Sequence, residues 1–325
     1  MRVVRVWICS LLMAGVAHSI GVPPLSIKRL VRDAEVVVVA DVISEARETT
    51  TVRFRDHDLL GRAYKSSATT LRVLKGDAPA QFSVEYSVPQ RYIGYETIRN
   101  GTRILFLNKD NEKDWVPASP YYPSLPALSI PPLSKAGASA EQAVVSEVGS
   151  VLISNAPTTE KVEAFGAGSH VESFEPYLKQ ALNTSADSDF RLLITASLIG
   201  RGDISQIHIL PKLLSDPKLN PTAKSNFLAA VASGVRNPAA MPQITQLLNS
   251  PDEEVRRAAV KALPHIPSPL AKRLLKASLT DSDEQVQLLA VRGLAKVYGR
   301  PGVTLELNEF RTHRDQYVNQ WLKGD

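Results

Sequence analysis

A repeat in the C-terminal half constrains this chain more than any other feature of its sequence. The stretch SPDEEVRRAAVKAL at residues 250–263 returns 31 positions later as DSDEQVQLLAVRGL at residues 281–294, with six identical positions. In both copies the apolar residues recur with the spacing of a helix face. Because one helical hairpin cannot bury its own apolar face, self-similarity at this period indicates a stacked array of hairpins. Such an array is typical of a binding scaffold.

The same period can be followed upstream through four units. The first helix of each unit is predicted to close at a leucine, in order Leu182, Leu214, Leu248 and Leu279. The second helices are predicted over residues 189–199, 222–233, 252–263 and 283–297. Asp252 and Asp283 begin the last two, where a carboxylate can cap the helix and meet its positive end. A final helix is predicted to shield the last unit and contains Phe310, Tyr317, Trp321 and Leu322.

These units resemble HEAT repeats, and the resemblance rests on DEEVRRAAVKAL and DEQVQLLAVRGL. Both segments are close to that family's second-helix consensus of an acidic residue, Val, Arg, Ala and Leu. The resemblance covers residues 172–297. It implies a C-terminal HEAT-like α-solenoid whose second helices line a concave binding face.

The N-terminal region has the pattern of a β domain. Continuous apolar runs predict buried strands at residues 35–42 and 104–107, and alternation predicts a half-buried strand over residues 82–88. Shorter strands are predicted at 69–74 and 115–116, after a short helix capped by Ser26. The order helix, VVVVADV, LRVLKG, alternating strand and NGTRILFL resembles a netrin-like, OB-type module. The pattern predicts a small antiparallel barrel or sandwich.

We therefore expect an α+β, multidomain chain, with a small N-terminal antiparallel β barrel or sandwich followed by the HEAT-like α-solenoid. The expected segments are a signal peptide at 1–19, a β-rich domain at 20–116, a proline-rich connector at 117–139, a linking helix and loop at 140–170, and repeats with a cap at 171–325. Six prolines between residues 117 and 134 predict extended connector geometry. The linking helix is predicted over residues 140–153.

The first residues have the three-part pattern of a secretory signal. Arg2 and Arg5 precede an apolar run at residues 6–17, and small residues then mark a cleavage position after Ser19. The run is short for a membrane span, which needs about 20 residues. Cys9 is the only cysteine, so the exported chain would carry no disulfide and no thiolate. We expect a periplasmic or extracellular protein with no membrane span after cleavage, in a bacterial host.

Catalytic and metal-binding patterns are weak throughout the sequence. Asp56-His57-Asp58 is the densest local group, and it is more typical of a solvated loop than of a metal site. The glycines at residues 166–170 lack the Lys-Ser or Lys-Thr of a phosphate loop and indicate a flexible segment before the array. Arg201-Gly202-Asp203 indicates turn chemistry. We expect no cofactor and no metal.

One charged surface is a candidate binding site. Arg257 and Lys261 lie one turn apart on the second helix of the third repeat. In the fourth repeat, Arg292 occupies the position equivalent to Lys261, and Lys296 follows one turn later. Stacking would align these four residues into a basic ridge able to bind an acidic peptide or polyanion. A solvated helix face neutralised by nearby acidic residues is the alternative interpretation.

Three functional hypotheses follow from this pattern. The first is an exported, non-enzymatic scaffold that binds another protein through the solenoid, with its oligomeric state left open. The second makes the β domain a binder or inhibitor of a protease or saccharide, positioned by the repeats; the cysteines of animal netrin-like domains have no counterpart here. The third is an envelope enzyme whose catalytic residues the sequence does not group. Nucleic acid is not expected as a partner, because signal removal leaves 36 basic against 33 acidic residues.

Overall fold

The computed structural model describes residues 25–54, 57–89, 96–110, 115–132, 137–203, 205, 209, 213–214, 216, 218–300 and 305–322. The chain forms two compact units, one extending to Thr184 and the other beginning at Ser185. The predicted signal segment lies outside the described residues, and so does most of the helix predicted to end at Leu214.

The first unit is built on a six-stranded sheet. A short helix α1 (Ile27–Asp33) precedes the strands β1 (Val36–Phe54), β2 (His57–Lys75), β3 (Gln81–Pro89), β4 (Gly101–Lys109), β5 (Trp115–Pro117) and β6 (Ser124–Pro126). All neighbouring strands pair antiparallel except β3 and β5, which meet in parallel at Val84 and Trp115. The pairings run from β1 through β2, β3, β5 and β4 back to β1, so five strands form a closed ring. The resemblance to a netrin-like or OB-type module stays a prediction.

Continuous apolar runs in the sequence became strands buried on both faces. Residues 36–40 of β1 and 103–107 of β4 are all buried, and the two segments pair with each other. Alternate residues point into the ring, where Val38, Val84 and Leu105 belong to one core with the ring of Trp115. The helix capped by Ser26 is confirmed, since its hydroxyl accepts a hydrogen bond from the Arg29 N–H at 3.3 Å.

Strands β1 and β2 are much longer than their sequence pattern predicts. Each has 19 residues, and they pair from Val37 with Lys75 out to Phe54 with His57. The prediction missed residues 43–68 because this part of the hairpin is largely polar and has little apolar surface to bury. Ile43 and Leu60, two of its large apolar side chains, are 64% and 61% exposed. Backbone pairing, with β3 added along β2, holds the hairpin instead.

Three helices of the first unit follow the sheet: α2 (Ala140–Ile153), α3 (Thr158–Gly168) and α4 (Glu175–Thr184). The bounds of α2 are those predicted from the sequence, and Ser139 and Gln142 form a capping box at its start. Part of the proline-rich segment joins the sheet, because β6 pairs with β4. The expected flexible segment at residues 166–170 is wrong. It ends α3, and a Cβ at Gly168 would lie 2.4 Å from the Phe174 ring.

Two ion pairs of low exposure join these helices to the strands. Glu147 of α2 accepts hydrogen bonds from Arg72 of β2 at 2.6 and 2.5 Å, and Arg72 also donates to the Leu128 carbonyl at 2.6 Å. Glu163 of α3 accepts from Arg103 of β4. Because breaking a buried pair leaves one uncompensated charge, each pair fixes the position of its helix on the sheet.

The second unit is helical over the residues described. Its helices are α5 (Ser188–Gly200), α6 (Pro221–Gly234), α7 (Met241–Leu248), α8 (Glu253–Ala262), α9 (Pro269–Ala277), α10 (Glu284–Val297), α11 (Leu307–Thr312) and α12 (Arg314–Leu322). The four predicted second helices are confirmed as α5, α6, α8 and α10. The prediction of a single final helix is wrong, because the helix is interrupted at His313 and two helices, α11 and α12, form instead.

One apolar core runs the length of this second unit. It extends from Leu192 of α5 through Val231, Ala259 and Val291 to Trp321 of α12, and each helix contributes its buried stripe. Leu182 was predicted to end the first helix of the first repeat. It lies in α4 instead, within the compact unit that contains the sheet. The stacked hairpins therefore complete one another's interior from α5 onward.

Candidate interaction surface of the helical array

The N-termini of neighbouring second helices are joined by capping aspartates. Asp252 caps α8 by accepting hydrogen bonds from the N–H groups of Glu254 at 3.0 Å and Val255 at 3.4 Å. Its other oxygen accepts a hydrogen bond from the ammonium of Lys224, in the first turn of α6. One carboxylate therefore closes its own helix and binds the preceding repeat.

Asp283 repeats this arrangement at the start of α10. Its Oδ1 accepts from the Val286 N–H at 2.9 Å, and both oxygens accept from the Arg257 guanidinium of α8 at 2.9 and 2.6 Å. The hydrogen bond from Arg257 holds the pKa of Asp283 below its ordinary value. Burial works to raise the pKa of Asp252, and the hydrogen bond and charge of Lys224 outweigh it and lower that pKa. We call the Lys224–Asp252 and Arg257–Asp283 pairs the capping ladder.

Further contacts continue this row to the helices α11 and α12, which form the C-terminal cap of the array. Arg256 makes a two-pronged pair with Asp281, at 2.9 and 3.0 Å. In the cap, Arg311 donates to Glu284 at 2.6 Å and Arg314 donates to the Gln287 amide oxygen at 2.6 Å. The cap therefore attaches to α10 at the helix start, as the preceding repeats attach to each other.

The structure divides the four residues of the predicted basic ridge into two pairs. Arg257 is held in the capping ladder with its side chain 28% exposed, and Arg292 donates a hydrogen bond to the Leu305 carbonyl. Lys261 and Lys296 are exposed, and neither has an ion-pair partner among the residues that the structure describes. The sequence contained the missing signal, since Arg257 precedes the capping Asp283 by 26 residues, slightly less than one repeat.

Lys261 and Lys296 lie near the C-termini of α8 and α10, at the ends of these helices away from the capping ladder. A Cβ at Gly293 of α10 would lie 3.0 Å from Pro264, so the last turn of α10 passes close to the chain that follows α8. This approach brings Lys296 towards His265. Burial lowers the pKa of His265, and the positive charges of Lys296 and Arg236 lower it further. Arg236 follows the C-terminus of α6, so three successive repeats contribute cations here.

A separate groove lies on the sheet of the first unit and has a volume of about 760 Å³. One cross-strand row of it is formed by Gln81, Thr69, Asp41 and Thr102, on β3, β2, β1 and β4. Thr102 donates a hydrogen bond to Asp41 at 2.6 Å. Hydroxyls and amides dominate the polar lining, and its described residues include one carboxylate and no cation.

The remaining sequence candidates offer little chemistry. Asp56 and the side chain of His57 lie outside the described residues, and Arg201-Gly202-Asp203 forms the turn after α5, with Gly202 at a φ of 84°. Within the described ranges, no group of three or more His, Cys, Asp or Glu side chains could hold a metal ion. In the same part of the chain, no helix is both long and apolar enough to span a membrane.

Comparison with protein families supports the assignment of the array. The family model for HEAT repeats matches residues 212–295, which include α6 to α9 and most of α10. Comparison with curated proteins gave no match. The resemblance inferred from the paired second-helix segments is therefore confirmed over these residues. Over residues 212–295, the C-terminal array therefore carries HEAT repeats.

Proposed function

We propose that this chain is an exported, non-enzymatic interaction protein whose HEAT repeats bind another protein. The observation that carries this proposal is that the second helices use one set of residues for folding and leave another set exposed. Their buried stripes form one continuous core and the capping ladder closes the N-termini of α8 and α10, while Ala229, Lys261 and Gln285 of the second helices are exposed. A repeated, solvent-facing surface of this kind supports binding by complementarity, without a reaction centre.

Export is part of the same proposal and rests on the basic, apolar and small-residue pattern of the first 19 residues. A protein partner is favoured over nucleic acid, because the chain without this segment has only three more basic than acidic residues. Expression of the full chain in a Gram-negative host, followed by fractionation and N-terminal sequencing, tests export. We expect the periplasmic form to begin at Ile20, and an uncleaved membrane-bound form would contradict the proposal.

Site-specific photo-cross-linking tests the binding region directly. A photoreactive residue is introduced singly at Ala229, Lys261 and Gln285, which are exposed positions on α6, α8 and α10. Matched positions in the sheet groove are Thr69 and Gln81, also exposed. In an envelope extract we expect a discrete cross-linked protein from the helix positions alone. Cross-links from the two groove positions alone would overturn the proposal.

The groove of the first unit supports a second candidate function, that of a binder of neutral saccharides. Its row of hydroxyl and amide groups with one carboxylate provides donors and acceptors for sugar hydroxyls, and no described residue of the lining offers a cation for phosphate. Screening the full chain and its Asp41→Asn variant against an oligosaccharide panel tests this candidate. Binding that the variant loses would support it, and no binding across the panel would leave the array as the binding region.

A further inference from the structure

Charge is segregated along the second helices of the array. Between residues 217 and 305 the sequence has six carboxylates and twelve lysines and arginines. Every one of these carboxylates lies in the first turn of α8 or α10 or just before it, namely Asp252, Glu253, Glu254, Asp281, Asp283 and Glu284. The opposite ends of α6, α8 and α10 therefore receive positive side chains from this stretch and no negative ones.

The second helices run parallel, so their like ends gather on one side. Lys224 near the start of α6 contacts the start of α8, and Arg257 near the start of α8 contacts the start of α10. At the other ends, Gly293 lies against Pro264, which follows α8. The gathered C-termini carry Arg236, Lys261, His265 and Lys296, and we call these four residues the basic edge.

The cations of the basic edge lack counter-ions within the part of the chain that the structure describes. Arg236, Lys261 and Lys296 are all exposed and form no ion pair there. A helix C-terminus favours a cation through its dipole, which accounts for one charge at each end. It does not account for their convergence on one imidazole, since Lys296 and Arg236 both oppose protonation of His265. Like charges held together in this way are relieved by an anion from outside.

An aromatic side chain extends the basic edge. Tyr298 follows Lys296 at the end of α10, is 40% exposed, and packs against the Trp321 ring at 5.5 Å between ring centres. The ammonium of Lys272 lies 4.9 Å from the centre of the Tyr298 ring. Tyrosines fixed in this way are common anchors in protein interfaces, so the combination fits a peptide better than a uniform polyanion.

We infer that the basic edge of Arg236, Lys261, His265 and Lys296 is the docking surface for an acidic segment of a partner protein. This inference rests on the proposed function and gives it a location and a partner chemistry. The segment would place carboxylates opposite the three cations and an apolar side chain against Tyr298. Its binding would weaken with salt, because the cations are exposed.

The test uses a fluorescein-labelled peptide of alternating glutamate and leucine, with anisotropy as the readout. The edge variant is Lys261→Glu/Lys296→Glu, and the matched control is Lys28→Glu/Arg62→Glu. These two control cations of the first unit are exposed, form no ion pair with a described residue and give the same net-charge change. We expect the edge variant to bind about tenfold more weakly than the control, in line with several exposed charge interactions. Equal affinities for the two variants would overturn the inference.

His265 provides a second readout that a change in net charge does not mimic. Carboxylates near the imidazole favour its charged form, so saturation with the peptide should raise the pKa of His265 in an NMR titration. Bound peptide without any such rise would place the peptide elsewhere and overturn the inference. Thermal unfolding of both variants checks that they fold.

The cross-linking experiment separates failure of this inference from failure of the proposed function. If Ala229 and Gln285 cross-link a partner in the edge variant as strongly as in the parent chain, the array binds a partner and the basic edge is not its docking surface. If no position on the array cross-links a partner, the proposed function itself fails, whatever the peptide does.

Discussion

At the scale of single residues, Asp283 has two roles at the join between two repeats. It caps α10 and accepts two hydrogen bonds from Arg257 of α8. A capping carboxylate contributes about 1 kcal/mol, and a charged pair of low exposure adds to this because its loss strands the arginine. The same carboxylate therefore stabilises a helix and an interface between repeats.

We expect Asp283→Ala to lower the free energy of unfolding by about 2 kcal/mol, because it removes the cap and leaves Arg257 unpaired. The control is Asp315→Ala in α12, whose carboxylate is 87% exposed and pairs with the adjacent Arg314. That change should cost under about 0.5 kcal/mol. Urea unfolding followed by circular dichroism measures both, and similar midpoints for the two variants would contradict the role given to Asp283.

The residue scale also shows where sequence reasoning succeeded and failed for the candidate site. The capping roles of Asp252 and Asp283 were predictable, because an acidic residue before a periodic apolar run has a local meaning. The fate of Arg257 and Arg292 was not, since their partners, Asp283 and the Leu305 carbonyl, are supplied by other repeats or by the cap. Periodicity identifies the face of a helix, whereas pairing depends on the neighbouring helix.

At the scale of elements, helices were more predictable than the long hairpin. The bounds of α2 and the four second helices follow from apolar spacing and caps, which are local signals. Strands β1 and β2 were predicted only over their apolar ends, at residues 35–42 and 69–74. Their outer halves are held by backbone pairing, which leaves no apolar pattern in the sequence.

Close approach between elements makes Gly293 a sensitive position. A Cβ there would lie 2.7 Å from the buried Leu275 side chain and 3.0 Å from Pro264. Alanine would gain about 1 kcal/mol in helix propensity, but overpacking typically costs 1–3 kcal/mol. We therefore expect Gly293→Ala to destabilise the protein by about 1 kcal/mol.

The matched change for Gly293 is Gly200→Ala at the end of α5, where a Cβ would meet no atom within 4 Å. This substitution should be neutral or stabilising by up to about 1 kcal/mol. Thermal or urea unfolding of the two variants compares them directly. A Gly293→Ala protein as stable as Gly200→Ala would show that α10 and the chain after α8 can separate without cost.

At the scale of the whole molecule, the two units should respond differently to acid. In the array, the capping ladder holds the pKa values of Asp252 and Asp283 below their unfolded values. Their stabilising contribution is therefore present above the unfolded pKa, about 3.9, and is lost as pH falls through the lower folded pKa. In the first unit, burial and the nearby charge of Glu163 raise the pKa of Glu96, so protonation of that group favours the folded state as pH falls.

We expect amide hydrogen exchange in α8 and α10 to lose protection below about pH 4, ahead of strands β1 and β4, after correction for intrinsic rates. Hydrogen exchange with mass spectrometry between pH 3 and 7 makes the comparison within one sample. The Arg257→Gln variant should show a weaker acid dependence in α10. Without the guanidinium the pKa of Asp283 is lowered less, so protonation of Asp283 costs less stability. Equal loss of protection in the helices and strands would contradict this account.

The capping ladder gives the repeat built on α8 two unlike ends, since Asp252 binds the preceding repeat and Arg257 binds the following one. A unit that has a cation near the start of its second helix and a carboxylate just before that helix can receive a neighbour on one side and bind one on the other. A duplicated unit would therefore fit into the row without any compensating substitution. In this chain the row ends at a terminal segment that offers arginines of its own, Arg311 and Arg314.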